Sequence, residues 1–188
     1  MSLQEQNAAL ILIDFQKGFN EQKYADGNRN NLDAEKKASV ILNHWRDKNL
    51  PVFHIIHNST DSNSSFRKGQ SGFEIKDEVK PTHGEPVVEK NVHSAFIGTD
   101  LKERLEKQKI NTVVIIGFTT NHCVSTTARM AGDYGFNTLL ISDATASFDR
   151  IGMNGEKFSS EIIHQTALAN LNNDFAQVIE TKKLLELV

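Results

Sequence analysis

Ala8-Ala9-Leu10-Ile11-Leu12-Ile13 is an unbroken apolar run that stops abruptly at Asp14. A half-exposed strand alternates apolar with polar residues, so a run without alternation marks a strand buried on both faces. Asn111–Gly117 repeats the pattern, and Pro51–His57, Glu85–Lys90, Asn137–Ser142 and Gln177–Ile179 add four more strand-like segments. Helical periodicity separates most of them. Leu32–Asn49 carries Ala34, Ala38, Ile41 and Trp45 on one face, with Asp33 near its start and Pro51 as its stop. Thr99–Lys109 carries Leu101 and Leu105, and a helix from about Cys123 to Tyr134 turns Val124, Ala128 and Ala131 inward. Ser159–Asn172 is a further helix, and Thr181–Val188 suits a terminal helix or an arm onto a partner subunit.

Strands alternating with helices predict right-handed crossovers and an α/β fold class. The expected form is a three-layer α/β/α, Rossmann-like arrangement around a mostly parallel six-stranded sheet. The 188 residues contain no internal repeat, low-complexity tract or linker, which fits one domain. Ligands of such sheets sit beyond the carboxyl ends of the strands, where strand order reverses. The residues ending the strands are therefore the informative ones: Asp14, His57, Lys90, the segment Gly117–Cys123, and Asp143. Asn58–Gly84 is irregular and rich in Ser, Asn, Gly and charge, the profile of a functional loop or lid.

Hydrophobic residues at 38% and charged residues at 24% give an ordinary soluble balance. A net charge of −3 argues against nucleic acid as a partner. No run of about 18 apolar residues is present to span a membrane. Met1–Asn7 is polar rather than a secretory signal, so a cytoplasmic location is the default expectation. Cys123 is the only cysteine, which excludes an intramolecular disulfide and a multi-thiolate metal site. It is either a buried structural thiol or a nucleophile.

Asp14 and Lys90 each follow an apolar strand, and each has a plain structural reading: a cap or salt bridge for Asp14, a solvated charge for Lys90. Cys123 falls at a predicted helix start, where amides and the helix dipole favour an anion. Taken together they place a carboxylate, an ammonium and a thiol on one sheet edge. A helix N-terminus and a nearby lysine are expected to lower a thiol pKa towards neutrality. A carboxylate beside the thiol can take its proton and later return it to a leaving group. The tight connection Gly117–His122 brings backbone amides close to the sulfur.

The segments Leu10–Gln16, Val88-Glu89-Lys90 and Gly117–Val124 resemble the three signature blocks of the isochorismatase-like cysteine hydrolases. That superfamily includes nicotinamidases and N-carbamoylsarcosine amidases. Ser94-Ala95-Phe96 and Gly98-Thr99-Asp100-Leu101 also fit its pattern, and the likeness covers nearly the whole chain. The resemblance implies a general acid/base at Asp14, its charged partner at Lys90 and the nucleophile at Cys123. It implies a cis peptide at Phe118–Thr119 and an oxyanion hole of the Thr119 and Cys123 backbone N–H groups. It further implies a small-molecule substrate and a homo-oligomer, dimer or tetramer.

Nicotinamidases of the family bind a metal through an Asp-x-His…His arrangement after the second strand. Here His54 and His57 are three apart on a strand and face opposite sides. Asp61 and His83 could join His57 only through loop folding, so no metal and no cofactor are expected. His57 either reaches the pocket or is a satisfied structural histidine. Phe15, Phe19, Phe66, Phe73 and Phe96 are candidate pocket walls or core residues. Arg67 and Lys68 are candidates for an anionic substrate group or plain loop charges, and His93, Asn121 and His122 for substrate or support roles, Asn121 and His122 among the pocket candidates. Amide or carbamoyl hydrolysis is the leading expectation. Vinyl ether hydrolysis and a non-catalytic binding subunit are the alternatives. A nucleotide-binding domain is disfavoured, because Asp14-Phe15-Gln16-Lys17-Gly18 stands where a Gly-x-Gly-x-x-Gly is required.

Overall fold

The computed structural model describes residues 2–21 and 28–188, so Met1 of the polar N-terminal stretch lies outside the described residues. Its strands are β1 (Ala9–Ile13), β2 (Val52–His57), β3 (Val87–Lys90), β4 (Thr112–Phe118), β5 (Asn137–Ala146), β6 (Arg150–Ile151), β7 (Lys157–Phe158) and β8 (Gln177–Ile179). The helices are α1 (Ala34–Asp47), α2 (Leu101–Lys107), α3 (Ser125–Asp133), α4 (Ser160–Leu171) and α5 (Thr181–Leu185). Six strands form one sheet in the order β3-β2-β1-β4-β5-β8. Every pairing in it is parallel, so the sheet is fully rather than mostly parallel.

All residues of β1 and β4 are buried, as their unbroken apolar runs require. Alternate residues serve opposite layers. Leu10 and Leu12 face Ala38, Ile41, Leu42 and Trp45 of α1, and Leu184 of α5 joins the same core. Ala9, Ile11 and Ile13 face the other way, onto Leu101 and Leu105 of α2, Ala128 and Ala131 of α3, and Leu168 of α4. The Trp45 indole N–H donates to the Ala8 carbonyl at 3.0 Å, which pins α1 beside the entry to β1. Ser159 caps α4, its hydroxyl accepting the Ile162 N–H.

The chain leaves β1 towards β2 and β3 on one side and reaches β4, β5 and β8 on the other. The switch point therefore lies between the carboxyl ends of β1 and β4. There the two backbones approach so closely that a Cβ on Gly117 would sit 2.1 Å from the Ile13 carbonyl oxygen. Gly117 also has φ +137°, a conformation that side-chain-bearing residues rarely adopt. The β4–β5 register shifts between Ile115 and Gly117, which lets β5 run on to Ala146, past the expected end at Ser142.

Two local expectations change. One wide turn of π type, Thr120–Val124, precedes α3, so the helix proper starts at Ser125 rather than Cys123. Such turns recur at functional sites. The β6–β7 ribbon carries no hydrophobic pattern to mark it, because it is only two residues a side and none of them is buried. Its signal is the Asn154-Gly155 pair at the loop tip.

Substituting Gly117→Ala should cost about 3 kcal/mol or more in urea unfolding, through the carbonyl clash and the φ it needs. A loss below about 1 kcal/mol would mean the β1–β4 contact is more yielding than its geometry indicates.

Candidate active site

Asp14 directly follows β1 with φ +51°, a left-handed conformation that aspartate tolerates better than most residues. Its N–H donates to the Ile55 carbonyl at 2.9 Å, fixing the turn against β2. Lys90 ends β3 in register with His57. From there its side chain reaches across to Asp14, Nζ to Oδ2 at 2.7 Å, with the two side chains 0% and 2% exposed. Lys90 Nζ also lies 3.5 Å from Cys123 Sγ and 3.4 Å from His57 Nδ1. An ammonium has three protons and accepts nothing, so these three neighbours absorb its donors and make His57 Nδ1 an acceptor. Burial, and then the adjacent Lys90, lower the His57 pKa, which leaves a neutral ring with its proton on Nε2. Asp14 Oδ1 is buried and has no hydrogen-bond partner among the described residues.

Cys123 sits in the π turn after β4 and is 9% exposed. Burial pushes its thiol pKa up, the Asp14 carboxylate pushes it further, and Lys90 opposes both without prevailing. This corrects the expectation of a depressed thiol pKa. The regular helix begins only after Cys123, and desolvation outweighs one lysine whose charge is shared with Asp14. The thiol is thus protonated at rest. The peptide between Phe118 and Thr119 is cis.

A cavity of about 220 Å³ opens over these groups. Asp14, Thr119 and Cys123 contribute its floor. Phe19 and Phe66, with ring centroids 4.8 Å apart, build an aromatic wall. His57, Ser64, His93, His122 and Arg150 complete the lining. His93 Nδ1 is 3.6 Å from Cys123 Sγ, and its ring centroid is 5.8 Å from that of His122. The loop 58–84 supplies Ser64 and Phe66 and is held by Gln16, which is itself buried. The Gln16 amide donates to the His57 and Phe73 carbonyls, both at 3.0 Å, and accepts the His57 N–H at 2.8 Å.

Asp14, Lys90, Cys123 and His57 therefore converge, and Thr119, Phe19, Phe66 and His122 share the cavity with Asp14, Cys123 and His57, while Lys90 lies buried behind its lining. Phe15, Phe96 and Asn121 do not line it. Phe15 packs on Phe118 at 4.8 Å within the core on the α1 side. Phe96 belongs to the opposite core, 5.4 Å from Tyr134 and 6.1 Å from Phe136. The Asn121 amide oxygen accepts the Ser147 hydroxyl at 3.1 Å. Phe73 offers the site only its carbonyl, through Gln16. Arg67 is exposed, and Lys68 is a surface charge 3.4 Å from Glu89. His54 points away from His57 and meets Glu85 at 2.9 Å, while Asp61 accepts the N–H of Asn63 within its own loop. Among the described residues no group of three or more His, Cys, Asp or Glu side chains is placed to hold a metal ion. Gln16, Ser64 and Arg150 were not singled out by sequence, since each acts through contacts remote along the chain.

Residues 8–183 match the model of the isochorismatase domain. The chain belongs to the isochorismatase family. It is 46% identical to the isochorismatase family protein YrdC of Bacillus subtilis, over 96% of each chain. It is 33% identical to nicotinamidase 3 of Arabidopsis thaliana, over 94% of this chain and 86% of the relative. An isochorismatase-family crystal structure from Chromobacterium violaceum superposes with a TM-score of 0.93 at 36% identity, covering 97% of this chain and 93% of that one. The protein is accordingly an isochorismatase-family hydrolase. No helix among its described residues is long and apolar enough to cross a membrane.

A raised thiol pKa has a direct readout. Only the thiolate alkylates, so the iodoacetamide rate at Cys123 should climb throughout pH 7 to 10 with no plateau. Asp14→Asn removes a negative charge that holds the pKa up and should accelerate alkylation at pH 8 several-fold. A plateau near neutrality in the unmodified protein would contradict the burial argument.

Proposed function

We propose that this isochorismatase-family hydrolase cleaves a small amide or carbamoyl compound through a thioester on Cys123. Asp14 serves as general acid/base and Lys90 as its charged partner. The observation that carries this reading is the pairing of a protonated thiol with a buried carboxylate oxygen, Asp14 Oδ1, that has no partner among the described residues. An unpaired buried acceptor is costly unless something uses it. A proton arriving from the thiol supplies what that oxygen lacks.

The cycle runs as acyl transfer. The Cys123 thiol proton passes to Asp14 Oδ1 while Sγ attacks the substrate carbonyl carbon. The new negative charge rests on the carbonyl oxygen, which the Thr119 and Cys123 backbone N–H groups receive. Asp14 then gives its proton to the leaving nitrogen, the C–N bond breaks, and ammonia or an amine departs. Water yields a proton to Asp14 and its oxygen attacks the thioester. The C–S bond breaks, the acid leaves, and sulfur recovers its proton. Lys90 supports both halves: it keeps Asp14 Oδ2 occupied, so Oδ1 is the oxygen that shuttles, and its nearness to Sγ steadies the transient thiolate. Similarity to a nicotinamidase supports amide over ether cleavage.

An ammonia-release screen over small amides should find turnover that Cys123→Ser and Asp14→Asn each reduce by about 10³-fold or more in kcat, with folding intact by circular dichroism. Mass spectrometry after an electrophilic amide should place the acyl mass on Cys123. Full activity in Cys123→Ala would defeat the scheme.

A further inference from the structure

We infer that His164 is a positioning residue for the nucleophile, its ring clasping Thr120 and so holding the π turn that carries Cys123 against the cavity floor. The inference rests on the reading of Cys123 as nucleophile and adds to it what keeps the sulfur in place.

His164 occupies a position on α4 that suits an aliphatic residue. Leu168 and Leu171, one and two turns further along the same face, belong to the core that also holds Cys123 and Val124. His164 is only 2% exposed. Burying an imidazole carries a desolvation cost that leucine would avoid, so its nitrogens need partners. Nδ1 lies 2.9 Å from the hydroxyl of Thr120, which is wholly buried. Asn31 spends its two amide protons on the Ser142 and Thr145 carbonyls, at 2.9 and 2.7 Å. Its nitrogen, 3.4 Å from Nε2, therefore has no proton left for the ring. The ring N–H goes instead to the Ser142 backbone. That assigns the proton to Nε2 and makes Nδ1 the acceptor of the Thr120 O–H. Burial lowers the His164 pKa against the opposing pull of Glu161, so the ring is neutral at neutral pH.

The turn has reason to need such a clasp. A π turn is an uncommon form of helical turn, and in this one the Thr119 carbonyl accepts both the His122 and the Val124 N–H, at 3.0 and 3.3 Å. Two side chains tie its first residues to the rest of the fold. Thr120 is tied to His164, and Asn121 accepts the Ser147 hydroxyl at 3.1 Å. The Ser147 N–H donates in turn to Asn30 at 2.8 Å, so Asn30 and Asn31 stand behind both ties. Only the Thr120 tie is fully buried, where water cannot replace a lost partner. Cys123 follows Thr120 within the same turn, so a shift of Thr120 is passed on to the sulfur. The place of that sulfur, 3.5 Å from Lys90 and within the field of Asp14, governs its proton transfer.

The test reads the thiol itself, through the pH profile of Cys123 alkylation by iodoacetamide in the full chain. Thr120→Val keeps the shape of the side chain and removes its hydroxyl, and His164→Leu removes the acceptor. In either variant the loosened turn should let the sulfur leave its buried place. The rate at pH 8 should then rise by about threefold or more, and a plateau should enter the range pH 7 to 10. The double variant should match the single ones rather than multiply their effects, because both act through one contact. Thr120→Ser keeps the hydroxyl and should restore the profile of the unmodified protein. Circular dichroism checks folding first, and if His164→Leu does not fold, Thr120→Val set against Thr120→Ser carries the comparison. An unchanged profile in Thr120→Val, an equal change in Thr120→Ser, or effects that multiply in the double variant overturn the clasp. No amide has to be turned over, so failure of the hydrolase reading would not alter this result, and failure of the clasp leaves Cys123 its role as nucleophile.

Discussion

The buried contact between Lys90 and Asp14 is the interaction around which the site is arranged. It spans 2.7 Å, with both side chains almost wholly out of water, and it ties the ends of β1 and β3 across β2. Desolvating two charges is expensive, and their mutual attraction roughly offsets that cost only when the geometry is good and other polar atoms are satisfied. Here the lysine side is complete, with Asp14, His57 and Cys123 all within reach of Nζ. The aspartate side is not, since Oδ1 has no hydrogen-bond partner among the described residues. A pair satisfied at one end and open at the other is poorly designed as a strut and well designed to hold a proton in transit.

The same burial changes what the cysteine can be. An exposed thiol at a helix start is activated by a lowered pKa, whereas Cys123 is pushed the other way by desolvation and by the carboxylate beside it. Nucleophilicity then cannot come from a standing thiolate. It has to come from proton transfer coupled to attack, which demands a base within reach and a substrate that excludes water from the cavity. Asp14 meets the first condition, and the Phe19–Phe66 wall gives the apolar surface for the second.

Most of this was legible in the chain because it depends on rules with short reach. Buried strands betray themselves by missing alternation, and the first polar residue after each one lands on the functional edge. Asp14, Lys90 and Cys123 could therefore be placed together from their positions alone, as could the inward faces of α1, α2 and α3. What sequence did not disclose depends on approach between distant segments. Gly117 reads as the end of a strand, and only the Ile13 carbonyl 2.1 Å from its absent Cβ explains why it is glycine. Gln16 reads as an ordinary polar residue until its amide is seen clamping β2 to the long loop. Phe96 and Phe19 are indistinguishable as letters, yet one fell to a core beside Phe136 and the other to the cavity. Arg150 sits on a ribbon too short for any periodicity to mark.

That division has a physical cause. The cavity floor is set by the sheet, whose geometry follows from hydrophobic burial of whole strands and tolerates little change. Of the remaining lining, Ser64 and Phe66 come from the loop 58–84 and Arg150 from the β6–β7 ribbon, while Phe19, His93 and His122 come from other connections; the loop is tied down by hydrogen bonds such as Lys76 N–H to the Phe15 carbonyl at 2.8 Å and by Val79 in the core. Residues on those walls can change without disturbing the strands beneath. Reaction type should therefore follow the strand ends and substrate choice the two excursions. In this chain the charge on the floor sums to nothing, so whatever selects the ligand electrostatically has to be sought on the walls.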